Sequence, residues 1–192
     1  KLNILDVPGY VDFAGEVKAA IRAADSAVLV VCAASGVEVG AELHWNFLDE
    51  AKLPRMVFIN KMDRENANFA RTLEQLRTKF DTTFVPIQLP IGAQASFAGL
   101  VDLITMKAYL GPEGKEAPIP AELQSQAAEA RTQMMESAAE ADDELMMKYL
   151  EGETLSHEEI LEGFKVGMFS GMISPVLPCS AITGVGVAKL LD

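Results

Sequence analysis

Three uninterrupted apolar runs, at residues 27–31, 56–59 and 176–179, place the tightest constraint on this chain. A strand with one wet face alternates polar and apolar residues. A run apolar at every position is covered on both faces, as the strands of a parallel sheet are. The segments between the early runs carry helical spacing. Residues 13–24 put Val17, Ala20, Ile21 and Ala24 on one face, and residues 41–52 do the same with Leu43, Phe47, Leu48 and Ala51. Residues 68–80 follow with Phe69, Leu73, Leu76 and Phe80. Residues 1–5 read as one more strand. Strand and helix therefore alternate, which predicts an α/β fold: a doubly wound, mostly parallel sheet with right-handed crossovers. Such sheets take ligands at the carboxyl ends of their strands, so the residues just past each run are the candidates for chemistry.

The pattern changes near residue 82. Residues 84–91 and 99–110 are β-rich, with Pro86, Pro90, Gly92, Gly99 and Gly111 as breaks, and 111–120 reads as a loop. Residues 121–150 read as helix, in one or two pieces. Leu123, Ala127, Ala130, Met134, Ala138, Ala141 and Leu145 form its core stripe, with the methionines as gap-fillers. Ser156-His157-Glu158-Glu159 is a capping box that opens another helix with Ile160, Leu161, Phe164 and Met168. The α/β pattern then resumes, with a loop and the start of a helix at 184–192. The expected organisation is a sheet domain of residues 1–81 and 176–192, interrupted by an α+β insert at 82–175.

Charge marks the same division. The chain carries a net −12, yet residues 113–162 hold 14 acidic and 3 basic residues, a net of −11. So acidic a lobe does not grip phosphate backbones; it reads as a solvating surface or a docking face for a basic partner. Cys32 and Cys179 are too few for a disulfide framework, which suits a reducing, cytoplasmic setting, and both read as small buried apolar residues. No run nears the roughly 20 apolar residues of a membrane span, so no membrane is expected. His157 reads as a first-turn surface residue, and His44 stands alone on its helix with no cysteine or histidine cluster for a metal. The chain lacks an initiating methionine and reads as a piece of a longer protein.

The polar groups after the strands form a coherent set. Asn60-Lys61-Met62-Asp63 follows the 56–59 run. The Asp63 carboxylate can accept two bonds from a base edge with parallel N–H donors, which guanine has and adenine lacks. Asn60 can serve a ring nitrogen or tie neighbouring loops, and the Lys61 stem can lie over a flat base. Asp6-Val7-Pro8-Gly9 suits a nucleotide phosphate: Asp6 can hold magnesium directly or through water, and the Gly9 amide can approach a phosphate oxygen. Ser180-Ala181 supplies small residues whose amides can reach a base carbonyl.

Asp6-x-x-Gly9, Asn60-Lys61-x-Asp63 and Ser180-Ala181, in this order after successive strands, resemble the signature of GTP-binding proteins. Val11-Asp12-Phe13, the Arg64 that follows Asp63, Pro86-Ile87-Gln88-Leu89-Pro90-Ile91-Gly92, Val101-Asp102-Leu103-Ile104 and Asp142-Asp143-Glu144-Leu145 are similar to elongation factor G. The resemblance covers essentially the whole chain, and the insert matches the extra subdomain of that family's G domain. It implies a parent protein that moves tRNA and mRNA on the ribosome with GTP hydrolysis, binding GTP or GDP and Mg2+; nothing in the sequence demands more than a monomer. Its partners would be ribosomal RNA and the stalk protein, the acidic insert facing the stalk. Carried over, Asp6 holds magnesium through water and the Gly9 amide senses the γ-phosphate. Asn60 and Asp63 read guanine, Lys61 covers the base, and Ser180 with Ala181 meets the guanine oxygen.

Two departures qualify this. The chain holds no Gly-x-x-x-x-Gly-Lys-Ser/Thr loop and no switch threonine, so this piece alone is expected to bind GTP poorly. The P-loop segment and its strand are missing from the expected sheet. The second departure is Tyr10, where translational GTPases usually carry a histidine that orients the attacking water. A phenol, with a pKa near 10 against about 6.5 for imidazole, cannot become cationic but can still hydrogen-bond a water. Tyr10 is thus the catalytic candidate, and it points to an elongation-factor-G-like paralogue that hydrolyses GTP slowly or serves as a ribosome-binding module.

Overall fold

The computed structural model describes residues 1–190. In chain order its elements are α1 (Ala14–Ala23), β1 (Ala27–Cys32), α2 (Val39–Glu50), β2 (Arg55–Asn60), α3 (Phe69–Lys79), β3 (Thr83–Pro86) and β4 (Gln88–Ile91). Then come β5 (Gly99–Asp102), β6 (Lys107–Leu110), β7 (Lys115–Ala117), α4 (Gln124–Glu140), α5 (Asp143–Leu150), α6 (His157–Phe169) and β8 (Ile173–Pro178). One sheet has the order β1-β2-β8-β3 and is parallel throughout; the other runs β4-β5-β6-β7 and is antiparallel. The expected α/β architecture with an antiparallel-sheet insert is therefore present. Among the described residues no helix is long and apolar enough to cross a membrane.

The apolar runs become the middle of the parallel sheet. β8 is buried at every position, and Val57 and Ile59 of β2 are inaccessible. β1 differs: Leu29 and Val31 are buried, whereas Val28 and Val30 on its other face stand 45% and 56% exposed. One face and one edge of β1 lack cover. Consistent with this, residues 1–5 form no strand, contrary to the expectation. They run exposed with residues 6–9, with no ladder to join. A strand is held by hydrogen bonds to a neighbour, and apolar composition alone does not supply one.

The helices mostly keep the faces their spacing predicts. α3 buries Phe69, Leu73 and Leu76, and the Asn68 side chain caps it by accepting from the Arg71 N–H at 2.9 Å. The 121–150 helix divides at Asp142, whose carboxylate caps α5. α4 turns Ala127, Met134 and Ala138 into the core as expected. α6 opens on its capping box, with Ser156 and Glu159 exchanging bonds. Gly163 of α6 lies so close to α4 that a Cβ there would sit 2.4 Å from the Ala138 carbonyl oxygen.

α1 is looser than its spacing suggests. It follows a 3-10 turn at Val11–Phe13, and only Val17 is buried, in a helix that packs against α2 with Lys18 over the Phe47 ring. α2 also departs from expectation. Its deepest residue is Trp45, 2% exposed, stacked on Phe80 at 4.5 Å and beside Phe84 at 5.1 Å. Leu43 and Phe47 are only half-buried and Ala51 is exposed. The buried Arg55 guanidinium lies 3.9 Å from the Trp45 ring centre and pairs with Asp49.

The run expected at 84–91 divides between the sheets: β3 joins the parallel sheet against β8, and β4 opens the antiparallel one. The parallel sheet thus extends past 82 and begins again before 176. The expected loop at 111–120 contains β7. One contiguous core runs through both sheets, from Val57, Leu76 and Val176 to Val101, Met134 and Ile160. The expected C-terminal helix start ends at residues 191–192, which lie outside the described residues; up to there, a 3-10 turn covers Ala188–Leu190.

Candidate functional site

β1, β2 and β8 end side by side, and their carboxyl ends carry the polar residues. Asn60, the last residue of β2, is the hub. Its Oδ1 accepts from the Lys61 N–H at 2.7 Å and from the Ala181 N–H at 2.9 Å, with the Cys179 thiol at 3.4 Å. The 60–63 loop and the 180–181 loop are thereby tied through one side-chain oxygen. A second tie runs from the Met62 N–H to the Cys179 carbonyl at 3.0 Å.

Met62 explains how the loop is held. It is fully buried, so the residue between the two candidate base-reading groups is an apolar anchor. Lys61 takes a left-handed backbone, φ +64°, an uncommon conformation for a residue with a side chain. Lys61 itself is exposed and Asp63 half-buried. Among the described residues no hydrogen bond or ion pair engages the Asp63 carboxylate. Its charge is felt at Cys179, whose thiol is pushed up to about 12 by burial first and by Asp63 second.

Ser180 is fully buried, and its hydroxyl accepts from the Thr183 N–H at 3.3 Å. Its N–H donates to the Val185 carbonyl. Ser180 thus shapes the turn, and the Ala181 amide is already engaged by Asn60. Gly186, at φ +85°, closes the loop where a Cβ would lie 2.7 Å from the Pro178 carbonyl oxygen.

The phosphate-side candidates sit apart from this hub. Gly9 and Tyr10 line a cleft of about 540 Å3 together with Cys32, Glu38, His44 and Lys61. Tyr10 is 76% exposed. Asp6 lies in the exposed N-terminal segment and does not line the cleft. Among the described residues no group of three histidine, cysteine or acidic side chains could hold a metal. A lone exposed carboxylate such as Asp6 fits only a magnesium ion whose remaining ligands are water and phosphate oxygens, as a nucleotide carries it.

Several residues around the site were missed by sequence reasoning. Cys32 is half-buried rather than buried. Burial alone would raise its thiol. The Ser35 side chain, the Ser35 and Ala34 amides and the Lys61 charge outweigh that and bring it below its ordinary value. Cys32 is the register partner of Asn60 on β1, and the Cys179 thiol bonds the Asn60 side chain from the β8 side. Their one sequence signal was position: each ends an apolar run. Gly40 and His44 of α2 reach the cleft as well, and no local pattern marked them.

A parallel α/β sheet with polar loops gathered at the carboxyl ends of its strands has the architecture of a ligand-binding α/β domain. Over residues 1–192 the chain matches the family described as "Elongation factor Tu GTP binding domain". It is also similar to a Thermus thermophilus protein of known crystal structure, with 36% identity and a TM-score of 0.89. That match covers 97% of this chain and 28% of the Thermus chain. The chain belongs to the elongation factor Tu GTP-binding domain family and is a G domain of the translational GTPase type.

Proposed function

We propose that this domain binds GTP and GDP through Asp63 and Lys61, on loops that Asn60, Ser180 and Ala181 hold in place, and that its parent is a GTPase of the elongation factor G type working on the ribosome. The observation that supports this most is the half-buried Asp63 carboxylate, which has no partner among the described residues, on a loop anchored by the buried Met62 and by the Asn60 bonds. An unpaired carboxylate there is available to two parallel N–H donors, the pair that guanine presents. Asn60 acts mainly by locking the two loops together. Lys61 covers the base, and Ser180 sets the turn that carries Ala181. On the phosphate side, the Gly9 amide would approach the γ-phosphate and Asp6 is the residue that would hold a nucleotide-borne magnesium ion, whose charge would neutralise the phosphates. The nucleotide-binding part is the parallel-sheet domain, which reaches Pro86 and resumes at Ile173, and the segment between them is the insert. The acidic charge of the insert supports its use as a face toward the ribosomal stalk, in a cytoplasmic protein.

Tyr10 supports a second reading. Its exposed phenol stands where related GTPases place an imidazole, which favours a slow GTPase or a ribosome-associated module over a fast translocase. The decisive measurement is base preference in the full-length protein, because the phosphate-gripping loop is not among these 192 residues. Wild type should prefer GDP to xanthosine diphosphate, and Asp63→Asn should reverse that preference. If the variant leaves base preference unchanged, Asp63 does not read the base and the proposal fails.

A further inference from the structure

The strongest unused feature is one face of α2. A Cβ on Gly40 would lie 3.2 Å from the Gly9 carbonyl oxygen, so the Asp6-x-x-Gly9 loop rests directly on the first turn of this helix. His44 is four residues further along, hence on the same face one turn on. Gly9, Tyr10, Gly40 and His44 all border one cleft.

His44 is out of place there. Its Nε2 is buried and has no hydrogen-bond partner among the described residues. An unpaired buried polar atom costs free energy that an apolar side chain would avoid. The imidazole meets the Phe47 ring in a tilted contact at 6.3 Å, which any aromatic residue could make. Burial also lowers the imidazole pKa and keeps the ring neutral, with a lone pair for accepting a bond. One residue beyond the loop that α2 supports, the Tyr10 hydroxyl stands in solvent.

We propose that His44 is a positioning residue for Tyr10: with the end of the Asp6-x-x-Gly9 loop against α2, the Tyr10 side chain turns into the cleft when nucleotide is bound and its hydroxyl donates to His44 Nε2. The phenolic oxygen then keeps its lone pairs for the water that attacks the γ-phosphate. No proton changes hands between the two side chains; the imidazole fixes the direction of the phenol. This rests on the reading of Tyr10 as the water-orienting group.

The test is single-turnover GTP hydrolysis on ribosomes with the full-length protein. The variants are Tyr10→Phe, His44→Phe, His44→Gln and the Tyr10→Phe/His44→Phe double. His44→Phe should slow hydrolysis at saturating GTP by about 2- to 13-fold, the span one net hydrogen bond covers. GDP affinity should stay within about twofold, and His44→Gln, which retains an acceptor, should recover most of the rate. In the Tyr10→Phe background His44→Phe should add nothing. A non-hydrolysable GTP analogue should shift the His44 Nε2 nitrogen resonance in wild type and not in Tyr10→Phe. Wild-type rates in His44→Phe, multiplying losses in the double variant, or an unmoved resonance would overturn the proposal. An unchanged rate in Tyr10→Phe would instead remove the catalytic role of Tyr10 itself.

Discussion

Replacing Asn60 with alanine tests the tie between the two loops independently of any nucleotide. The Asn60 Oδ1 accepts from the Lys61 and Ala181 amides, at 2.7 and 2.9 Å. Asn60→Ala leaves both donors without their acceptor. Each net hydrogen bond is worth about 0.5–1.5 kcal/mol, so the pair contributes about 2 kcal/mol to holding the loops closed. Lys61 and Ala181 are exposed, and water recovers part of the loss, which places the effect there and not at the larger penalty of sealed donors. A fall of about 2 kcal/mol in the opening free energy corresponds to an open population about 30-fold larger. The assay is peptide-resolved hydrogen exchange on the nucleotide-free, full-length protein. Peptides spanning 60–62 and 180–185 should exchange about 30-fold faster in Asn60→Ala, while α4 and α6 stay as they are. Asn60→Asp keeps an acceptor oxygen for both amides and should retain most of the protection. Unchanged exchange at Ala181 in Asn60→Ala would refute the reasoning, because the oxygen would then not be what joins the loops.

Two more outcomes follow from the charges and thiols. Lys148 first, and then the Ser156 amide and hydroxyl, hold the Glu159 carboxyl down at about 2, against an ordinary 4.5. A depressed carboxyl contributes stability that is complete above about 4.5 and is lost as pH falls toward about 2. Glu159→Gln should therefore flatten the acid limb of α6 unfolding in that window, as followed by pH-dependent hydrogen exchange; an unaltered acid limb would contradict the Lys148–Glu159 pairing. With iodoacetamide at mildly alkaline pH, Cys32 should be alkylated well before Cys179, since one thiol is brought down and the other pushed up to about 12. Mass spectrometry that finds equal labelling would show that Cys179 is not sealed in the core.

The local grammar of the chain was readable. α3 with its Asn68 cap, the Ser156–Glu159 capping box and the Met134 stripe all depend on residues three and four apart, and neighbours in sequence are neighbours in a helix. The three apolar runs likewise marked the strands of the parallel sheet. Of the candidate site, Asn60, Lys61, Asp63, Ser180 and Ala181 come together because each follows one of those strands. Asp6 is not brought to them, and of these residues Gly9 and Tyr10 share a cleft with Lys61.

Sequence spacing could not report who sits beside whom across the sheet. Residues 1–5 have the composition of a strand and no ladder to join; β3 was expected with the insert and pairs with β8 instead. Trp45 became the centre of the α2 face because Phe80 and Phe84 arrive from elsewhere in the chain to meet it. Cys32, Gly40 and His44 gained their surroundings in the same way. A helix closes its backbone bonds within itself, so its code is local, whereas a strand, a core and a cleft borrow their partners from distant segments. Those partners exist only once the chain has folded.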